Sequence, residues 1–478
     1  MAYRPGGPVS SDGPDGAGAV AGKAAPSSSP PAAAALNAAV SDRAPGRVGR
    51  ALGAVSLVLV AAHFLRQGQW GLVAAALVIA LSVVVAREGW VRWAAVFALS
   101  ATTGLWLHTA ARLVAERREQ GDPWVRLALI LGGVATAAGL AAWRLARHPS
   151  TFDRDLPTAR LQAAVWLAVA LLLGAVQQWA PNRLLLLERY APGWGWFEVL
   201  AIATYAAWIS ARLVQPRGSA GVRVALWSAF SAVFFAQLVL GLAGLTRMLM
   251  TGHLHLPVPA LILAGPAYRG EGLFMVILFV VTTLLAGPAW CSHLCYVGAW
   301  DGLASRQRPT PGPLPEWAGR ARALLLVGVL LTAVALRLLG ADTGLAASLA
   351  ALFGLGGLAV MALSSRRGGT MVHCTLWCPA GLAADLLGRL SPWRITVNAR
   401  CTLCRRCLGA CRYHALSVAH LKRGRPGLSC SLCGDCVSAC PHAAITYRFP
   451  GLAPETARTA FVGLVTVLHA VFVAVARM

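Results

Sequence analysis

The stretch CTLCRRCLGAC at residues 401–411 returns with the same cysteine spacing as CSLCGDCVSAC at residues 430–440. Each copy reads C-x2-C-x2-C-x3-C. The first three thiols of a copy are close in sequence, so a short loop can turn their sulfurs toward one centre, while the fourth lies a helical turn further on and points elsewhere. In the bacterial ferredoxin arrangement with this spacing, the fourth cysteine binds the other cluster. The repeat therefore predicts two interlocked iron–sulfur sites.

The ligand sets follow from this spacing. Pro441 after the second copy matches the C-P ending of the arrangement, whereas Arg412 stands in the equivalent place of the first copy. Structural zinc is the alternative, but it usually takes two pairs of ligands separated by a longer loop. We expect one 4Fe-4S cluster at Cys401, Cys404, Cys407 and Cys440, and a second at Cys430, Cys433, Cys436 and Cys411.

The residues that flank the two copies favour β-strands. RITVNA (394–399), ALSVAHL (415–421) and AITYRF (444–449) alternate apolar and polar residues or are rich in β-formers. Such short runs beside the cysteines predict short strands around short helices. We therefore expect a small α+β dicluster ferredoxin-like domain over residues 394–450.

The composition of the rest of the chain indicates a membrane protein. Of the 478 residues, 57% are hydrophobic and only 13% are charged, which is too apolar for a soluble protein of several domains. The net charge of +24 comes from arginines spread between apolar segments, so topology signals explain it better than a nucleic-acid surface does. We expect membrane lipid and no nucleic acid among the partners.

The fold class expected is an α-helical polytopic membrane protein with about 11 transmembrane helices. Apolar runs of suitable length lie near residues 48–65, 70–86, 92–112, 124–143, 161–180, 196–214, 223–245, 272–290, 322–340, 344–363 and 459–476. The predicted organisation is a disordered cytoplasmic tail (1–46), a six-helix membrane region of unknown role (47–215), a four-helix core (223–378), the ferredoxin-like domain (394–450) and a last helix (459–476).

Charge predicts the orientation. When the N-terminal tail is placed in the cytoplasm and the eleven segments alternate, most of the 42 lysines and arginines fall on the cytoplasmic side, as the positive-inside rule requires. All twelve cysteines then lie at that one face of the cell membrane. A reducing compartment keeps them available as thiolates.

Four further cysteines form two pairs at the ends of predicted helices. WCSHLCYVGAWDG (290–302) and HCTLWCPAG (373–381) each hold cysteines at positions i and i+4, which a helix would place on one face. Four helices with a C-x3-C after the second and the fourth, followed by a dicluster ferredoxin segment, resemble the NapH/MauN type of membrane ferredoxin. That type is related to the C-terminal part of the NosR regulators of nitrous oxide reduction. The resemblance covers residues 223–450.

The resemblance implies a membrane-bound electron carrier between the quinone pool and a protein redox partner. The alternative is an assembly or maturation factor that reduces or handles a metal ion such as copper for a respiratory enzyme. As an electron carrier, the chain would be either an electron-transfer component or the quinol-oxidising subunit of an oxidoreductase. The direction of electron flow is open.

The paired thiols have several open roles. Thiolates select iron–sulfur clusters and soft ions such as Cu(I), a close pair can act as a redox dithiol, and buried cysteines can simply pack. His293 and His373 adjoin the pairs, and a loop histidine is more often solvated than a ligand. The further redox or metal site would comprise Cys291, Cys295, Cys374 and Cys378.

The predicted outward loop 251–272 combines apolar residues with titratable side chains. A quinol site needs both, whereas a re-entrant loop would use the polar groups only as interfacial anchors. His63 and His108, near the outward ends of two helices, could hold a haem, but polar contacts within the bundle are the expected role. The candidate quinol residues are His253, His255, Tyr268, Arg269 and Glu271.

Overall fold

Long α-helices account for most of the chain. The computed structural model describes residues 44–66, 68–85, 89–147, 156–180, 184–215, 218–245, 248 and 256–475. The sequence predicts a disordered tail over residues 1–46. Residues 1–43 of it lie outside the described part of the chain, and a helix begins at Ala44.

Nineteen helices and two strands are described, together with one 3-10 turn and three π-helical turns. The helices that precede the first cysteine pair are α1 Ala44–Arg66, α2 Trp70–Val85, α3 Gly89–Glu119, α4 Val125–Arg147, α5 Leu156–Trp179, α6 Leu186–Tyr190, α7 Gly195–Val214, α8 Ser219–Leu242, α9 Leu261–Arg269 and α10 Phe274–Ala286. The remaining elements are α11 Tyr296–Ser305, α12 Ala318–Leu338, α13 Thr343–Val360, α14 Arg366–Gly368, α15 Pro379–Leu387, β1 Arg394–Val397, α16 Arg406–Ala410, α17 Val418–Lys422, α18 Asp435–Ala439, β2 Ile445–Arg448 and α19 Pro454–Val475.

Nine helices within the described ranges are long and apolar enough to cross a membrane. They include α3, α4, α5, α7, α8, α12, α13 and α19, and α10 extended to Leu294. Two shorter apolar helices, Arg50–Leu65 and Trp70–Val84, coincide with the first two predicted segments. The chain is therefore a mostly helical membrane protein, and the count of eleven crossings stays a prediction.

The helix α19 packs against the N-terminal helices α5 and α7 and also against the cysteine-rich segment. Val462 and Ala470 lie in one apolar core with Val169 of α5 and Ala203 of α7. Phe461 faces a second core, which contains Tyr447 and most of the apolar residues of the cysteine-rich segment. The helix thus joins the N-terminal helices to the segment that carries the two cysteine copies.

Two strands close the cysteine-rich segment. β1 and β2 pair antiparallel, from Arg394 opposite Arg448 to Val397 opposite Ile445, so the strands predicted from RITVNA and AITYRF are confirmed. The strand predicted from ALSVAHL is wrong, because these residues run into α17. The Ser417 side chain accepts a hydrogen bond from the His420 backbone N–H, and this cap favours a helix start.

A buried ion pair fixes this segment to the membrane helices. Arg223 of α8 donates to both carboxylate oxygens of Asp435 at 2.9–3.2 Å, and Arg306 donates to the same carboxylate at 2.9 Å. Arg223 also donates to the Ser292 carbonyl at 2.8 Å. Because Arg223 and Asp435 are both buried, their pairing orients the cysteine-rich segment on the first cysteine pair.

Candidate iron–sulfur centres

The two cysteine copies adopt the same local backbone. Leu403 and Leu432 have φ of 55° and 54°, and His414 and Ala443 have φ of 51° and 48° at a second pair of equivalent positions. Together with Arg405 they are the non-glycine residues with positive φ in the described part of the chain. Such backbone is costly for residues with a side chain and clusters at ligand sites. The repeat in sequence is therefore a repeat in structure, with strained loops that turn the thiols inward.

The structure brings the first predicted quartet together around one small cavity. Cys401, Cys404, Cys407 and Cys440 all line it. Burial raises the pKa of the Cys407 thiol, and the three other thiols add to the shift. Cys404 is exposed, so this quartet lies at the surface of the cysteine-rich segment.

The second predicted quartet lies deeper. Burial raises the pKa of Cys436 well above its ordinary value, and the thiols of Cys433, Cys430 and Cys411 add to the shift. Cys411, which comes from the other copy, has its pKa raised to about 12, mainly by burial. The two copies are therefore interlocked, because each contributes its fourth thiol to the group formed by the other.

Backbone amides point at the two exchanged thiols. The Ala415 N–H donates to Cys411 Sγ and the Ala444 N–H donates to Cys440 Sγ, both at 3.3 Å. Hydrogen bonds to cluster sulfurs are one of the ways a protein sets a reduction potential. These two amides occupy equivalent positions, so the fold gives both quartets the same contact.

Arg412 takes the position that proline has in the second copy. Its guanidinium donates to the carbonyls of Ser305, Arg308, Pro309 and Gly369 at 2.6–3.0 Å. A charged donor that satisfies four carbonyls ties two membrane-face loops to the first copy. The departure from the C-P ending therefore has a structural reason.

Each cysteine pair has the same irregular helix geometry. Cys291 lies in the π-helical turn Trp290–Leu294 and Cys374 in the π-helical turn His373–Trp377. Cys295 and Cys378 then leave the helix in extended backbone, with ψ of 109° and 116°, and cap α11 and α15. The expectation that each pair lies on one face of a continuous helix is wrong, because the backbone breaks at the second cysteine.

The two pairs nevertheless converge into a third group of four thiols. Cys295 and Cys378 are electrostatic neighbours of Cys291, and all three are neighbours of Cys374. Burial raises the pKa of Cys295 to about 12 and that of Cys374 well above its ordinary value. Both redox chemistry and metal ligation use the thiolate, so it is the convergence of the four sulfurs, and not their acidity, that indicates a shared site.

Polar side chains that the sequence did not single out hold this third group. Asp301 accepts a hydrogen bond from the Cys374 backbone N–H at 2.9 Å, and Arg322 donates to the Cys374 carbonyl at 3.0 Å. Arg322 also pairs with Asp385 at 2.6 Å, and both are buried. Burial raises the pKa of Asp385 to about 6, although Arg322 opposes the shift. No local motif indicated these contacts, because they join distant segments.

Tyr413 lies between the third group and the second quartet. Its hydroxyl donates to the Cys291 carbonyl at 3.0 Å. The side chain shares an apolar core with Cys374, and Cys433 packs against that core. The third group therefore adjoins the second quartet, and the second quartet shares an apolar core with the first, so the three groups of thiols are contiguous.

The histidines beside the pairs are buried, not solvated. His293 is 9% and His373 6% exposed. Burial lowers the pKa of His373 to about 4, against a smaller opposing effect of the Gly357 backbone.

Three residues of the predicted quinol site, Tyr268, Arg269 and Glu271, lie in the described part of the chain. His253 and His255 lie outside the described residues. The Tyr268 hydroxyl donates to the Ala341 carbonyl at 2.8 Å, while Arg269 and Glu271 are exposed. Of the two haem candidates, His63 packs against the rings of Phe64 and Trp106, and His108 is exposed.

The spacing of the thiols suits clusters of several irons. Among the described residues, no three His, Cys, Asp or Glu side chains converge as the ligands of a single metal ion do. Cysteine sulfurs around one zinc ion all lie about 2.3 Å from it, whereas each thiolate of an iron–sulfur cluster binds a different iron and stands further from the others. The C-x2-C-x2-C-x3-C spacing of the two copies in sequence is therefore the feature that favours iron–sulfur clusters over single zinc ions.

Comparison with known proteins supports this chemistry. The family model for a 4Fe-4S binding domain matches residues 268–314 and 348–398. These two segments contain all four paired cysteines and neither of the two cysteine copies. No curated protein and no solved structure matches the chain. The match and the cysteine-rich segment together support an iron–sulfur protein of the ferredoxin type that binds 4Fe-4S clusters.

Proposed function

We propose that the protein is a membrane-bound electron-transfer protein that passes electrons between the quinone pool and a protein redox partner through two 4Fe-4S clusters. One cluster would be held by Cys401, Cys404, Cys407 and Cys440, and the other by Cys411, Cys430, Cys433 and Cys436. The observation that carries the proposal is the contiguity of the three groups of thiols. Bound there, the clusters would supply one-electron redox chemistry.

The side chains around the thiols support this role. Each group of thiolates carries negative charge into a buried site, which needs nearby positive charge. Arg223 is an electrostatic neighbour of Cys433, and Arg322 is one of Cys378. Both arginines are buried, and both also pair with a carboxylate. The second quartet and the third group, which are the two buried groups of thiols, therefore each have a guanidinium among their electrostatic neighbours.

The proposal includes an orientation. We place eleven crossings in the cell membrane and the ferredoxin-like domain, residues 394–450, on the cytoplasmic side. The distribution of lysine and arginine and the resemblance to the NapH/MauN type support this arrangement. After removal of iron, a membrane-impermeant maleimide should label the exposed Cys404 in inside-out vesicles and leave it unlabelled in intact spheroplasts. Labelling in spheroplasts would reverse the orientation.

The central experiment is an iron and sulfide count on protein purified without oxygen, combined with electron paramagnetic resonance. About eight irons per chain fit two clusters, and markedly more would place a further cluster at the paired cysteines. Addition of a quinol analogue should then produce the spectra of reduced clusters. Zinc without iron would overturn the proposal.

A second candidate function is a maturation factor that handles copper. The observation that favours it is the third group of four buried thiols, because soft thiolates select Cu(I). Stoichiometric copper binding that is lost in Cys374→Ser, with no reaction toward quinols, would support it. Copper binding that is unaffected by Cys374→Ser would exclude these thiols as the copper site.

A further inference from the structure

A cavity of about 300 Å³ lies beside the paired cysteines. Its walls include Val258, just before α9, as well as Gly354 and Leu358 of α13 and Cys378. Gly354 is midway along α13, a helix long and apolar enough to cross the membrane. Its missing side chain admits Val258, whose Cγ2 would stand 2.7 Å from a Cβ at that position. The cavity therefore lies at membrane depth, and its size is at the lower end of small-molecule sites.

Within the described part of the chain, His373 supplies the imidazole that lines this apolar cavity. His373 is 6% exposed, and no hydrogen bond of good geometry reaches either ring nitrogen, although the Gly357 backbone lies close enough to raise its pKa. A neutral imidazole offers one donor and one acceptor, and buried polar atoms without partners are rare and unfavourable. Gly357 packs directly on the ring, since a Cβ there would stand 2.8 Å from its Cε1. The ring is thus held in place, with at least one ring nitrogen left to bond an occupant of the cavity.

The remaining walls suit a flat, apolar occupant that enters from lipid. Trp377 stacks on Phe353 with ring centroids 5.0 Å apart, and its indole N–H is already bonded to the Phe353 carbonyl at 3.3 Å. Leu355 and Leu358 line the cavity and are 61% and 46% exposed. Because α13 lies in the membrane, these exposed side chains face acyl chains.

We propose that this cavity binds the ring of a quinone or quinol, with His373 hydrogen-bonded to a ring oxygen and the tail leaving between Leu355 and Leu358. The imidazole can donate to a quinone carbonyl or accept from a quinol hydroxyl, so both redox forms fit. Cys378 lines the same cavity, which sets the ring beside the third group of thiols. The inference rests on the proposed function and gives it a membrane site that includes residues 256–260 of the predicted outward loop but not Tyr268, Arg269 or Glu271.

Photolabelling maps the site directly. The probe is an azido-substituted quinone, added to the full-length protein in lipid nanodiscs, with labelled peptides identified by mass spectrometry. We expect label in residues 256–260, 351–361 or 373–379 that is displaced by excess decylubiquinone. Label confined to the loop around Tyr268 would overturn the inference, as would label in the cavity that decylubiquinone does not displace, which indicates a site for lipid chains.

Two matched pairs of variants test the contacts. Ala351→Phe should fill the cavity and weaken decylubiquinone binding at least about tenfold, whereas Ala347→Phe, one turn away and exposed, should leave it unchanged. His373→Leu removes both nitrogens and should weaken binding about tenfold, and His373→Gln should restore part of the loss. Equal binding by all four variants would overturn the inference.

The same samples separate this inference from the function on which it rests. Iron per chain and the spectrum after dithionite reduction are measured for the wild type and each variant. A wild-type protein whose clusters are reduced by a quinol analogue, with Ala351→Phe and His373→Leu binding decylubiquinone as tightly as the wild type, overturns the quinone site alone. A wild-type protein without clusters overturns the proposed function, whatever it binds in the cavity.

Discussion

Cys411 and Cys440 show how single residues connect the two copies. Each stands at the end of a short helix, α16 or α18, and leaves it with φ close to −80°. That backbone turns the side chain toward the thiols of the other copy. The Sγ atoms of the two residues accept hydrogen bonds from the Ala415 and Ala444 backbone N–H groups, both at 3.3 Å. The exchange of thiols between the copies therefore depends on the same backbone conformation at two equivalent helix ends.

Replacing either exchanged thiol should remove the cluster held chiefly by the other copy. Cys411→Ser should remove the cluster held chiefly by residues 430–436, and Cys440→Ser the one held chiefly by residues 401–407. In each variant, iron should fall from about eight to about four per chain, and one of the two spectral components should persist. Loss of the cluster in the copy that carries the mutation would contradict the interlocked assignment.

Asp435 is a second residue on which distant segments depend. It accepts hydrogen bonds from Arg223 and Arg306. Asp435→Ala would leave the buried Arg223 without its partner, so we expect a loss of about 3–5 kcal/mol in the free energy of unfolding. Thermal unfolding of the purified protein measures it. The control is Glu116→Gln, which breaks an exposed pair with Arg112 and should cost less than about 1 kcal/mol.

At the scale of elements, the cysteine motifs could be predicted because their spacing is local. The convergence of the four paired thiols could only be expected from family resemblance, since it depends on contacts between α11, α15 and the cysteine-rich segment. The π-helical turns and the extended backbone at Cys295 and Cys378 could not be predicted. A spacing of four fits a helix equally well, and only tertiary contacts decide against it. The same holds for ALSVAHL, where a serine cap outweighs strand propensity.

The glycines of α13 carry a signal that the sequence interpretation missed. In the stretch FGLGG (353–357), Gly354, Gly356 and Gly357 admit Val258, Trp377 and His373, each of which would come within 2.9 Å of a Cβ. Small residues clustered in a membrane helix allow such close packing. The cluster therefore pointed to an element that others approach closely.

Gly357→Ala should destabilise the protein, because its new methyl group would overlap the His373 ring. Overpacking of this kind costs about 1–3 kcal/mol, measurable as a lower melting temperature in nanodiscs. Gly328→Ala in α12 is the matched control, since nothing lies within 4 Å of its Cβ position. That change should leave the melting temperature unchanged or slightly raised. Equal melting temperatures for both variants would show that His373 gives way freely.

At the scale of the whole molecule, Phe461 links the membrane helices to the cysteine-rich segment. It is 1% exposed and stacks on Tyr447 with ring centroids 4.7 Å apart, while Trp393 meets it edge-on at 5.2 Å. No feature of the sequence indicated this contact, because α19 was predicted only from its length and hydropathy. Which face of a membrane helix meets a domain outside the bilayer depends on the assembled fold.

Phe461→Ala should loosen the cysteine-rich segment from the membrane helices. Removal of a buried phenylalanine side chain costs about 3–5 kcal/mol, and we expect faster proteolysis within residues 394–450 in vesicles that expose this segment. Phe97→Ala, at a position 36% exposed in α3, should cost about 0.5 kcal/mol. Proteolysis at the wild-type rate in both variants would show that α19 does not hold the segment in place.

The position of α19 in the chain also orders events on the ribosome. It follows the cysteine-rich segment, so Trp393 and Tyr447 leave the exit tunnel before the helix that covers them. Until α19 enters the bilayer, this segment lacks the apolar surface that completes its core. A chain arrested before Pro454 would therefore lack Phe461 and Val465, and we expect proteases to degrade its cysteine-rich segment faster than that of a chain with α19.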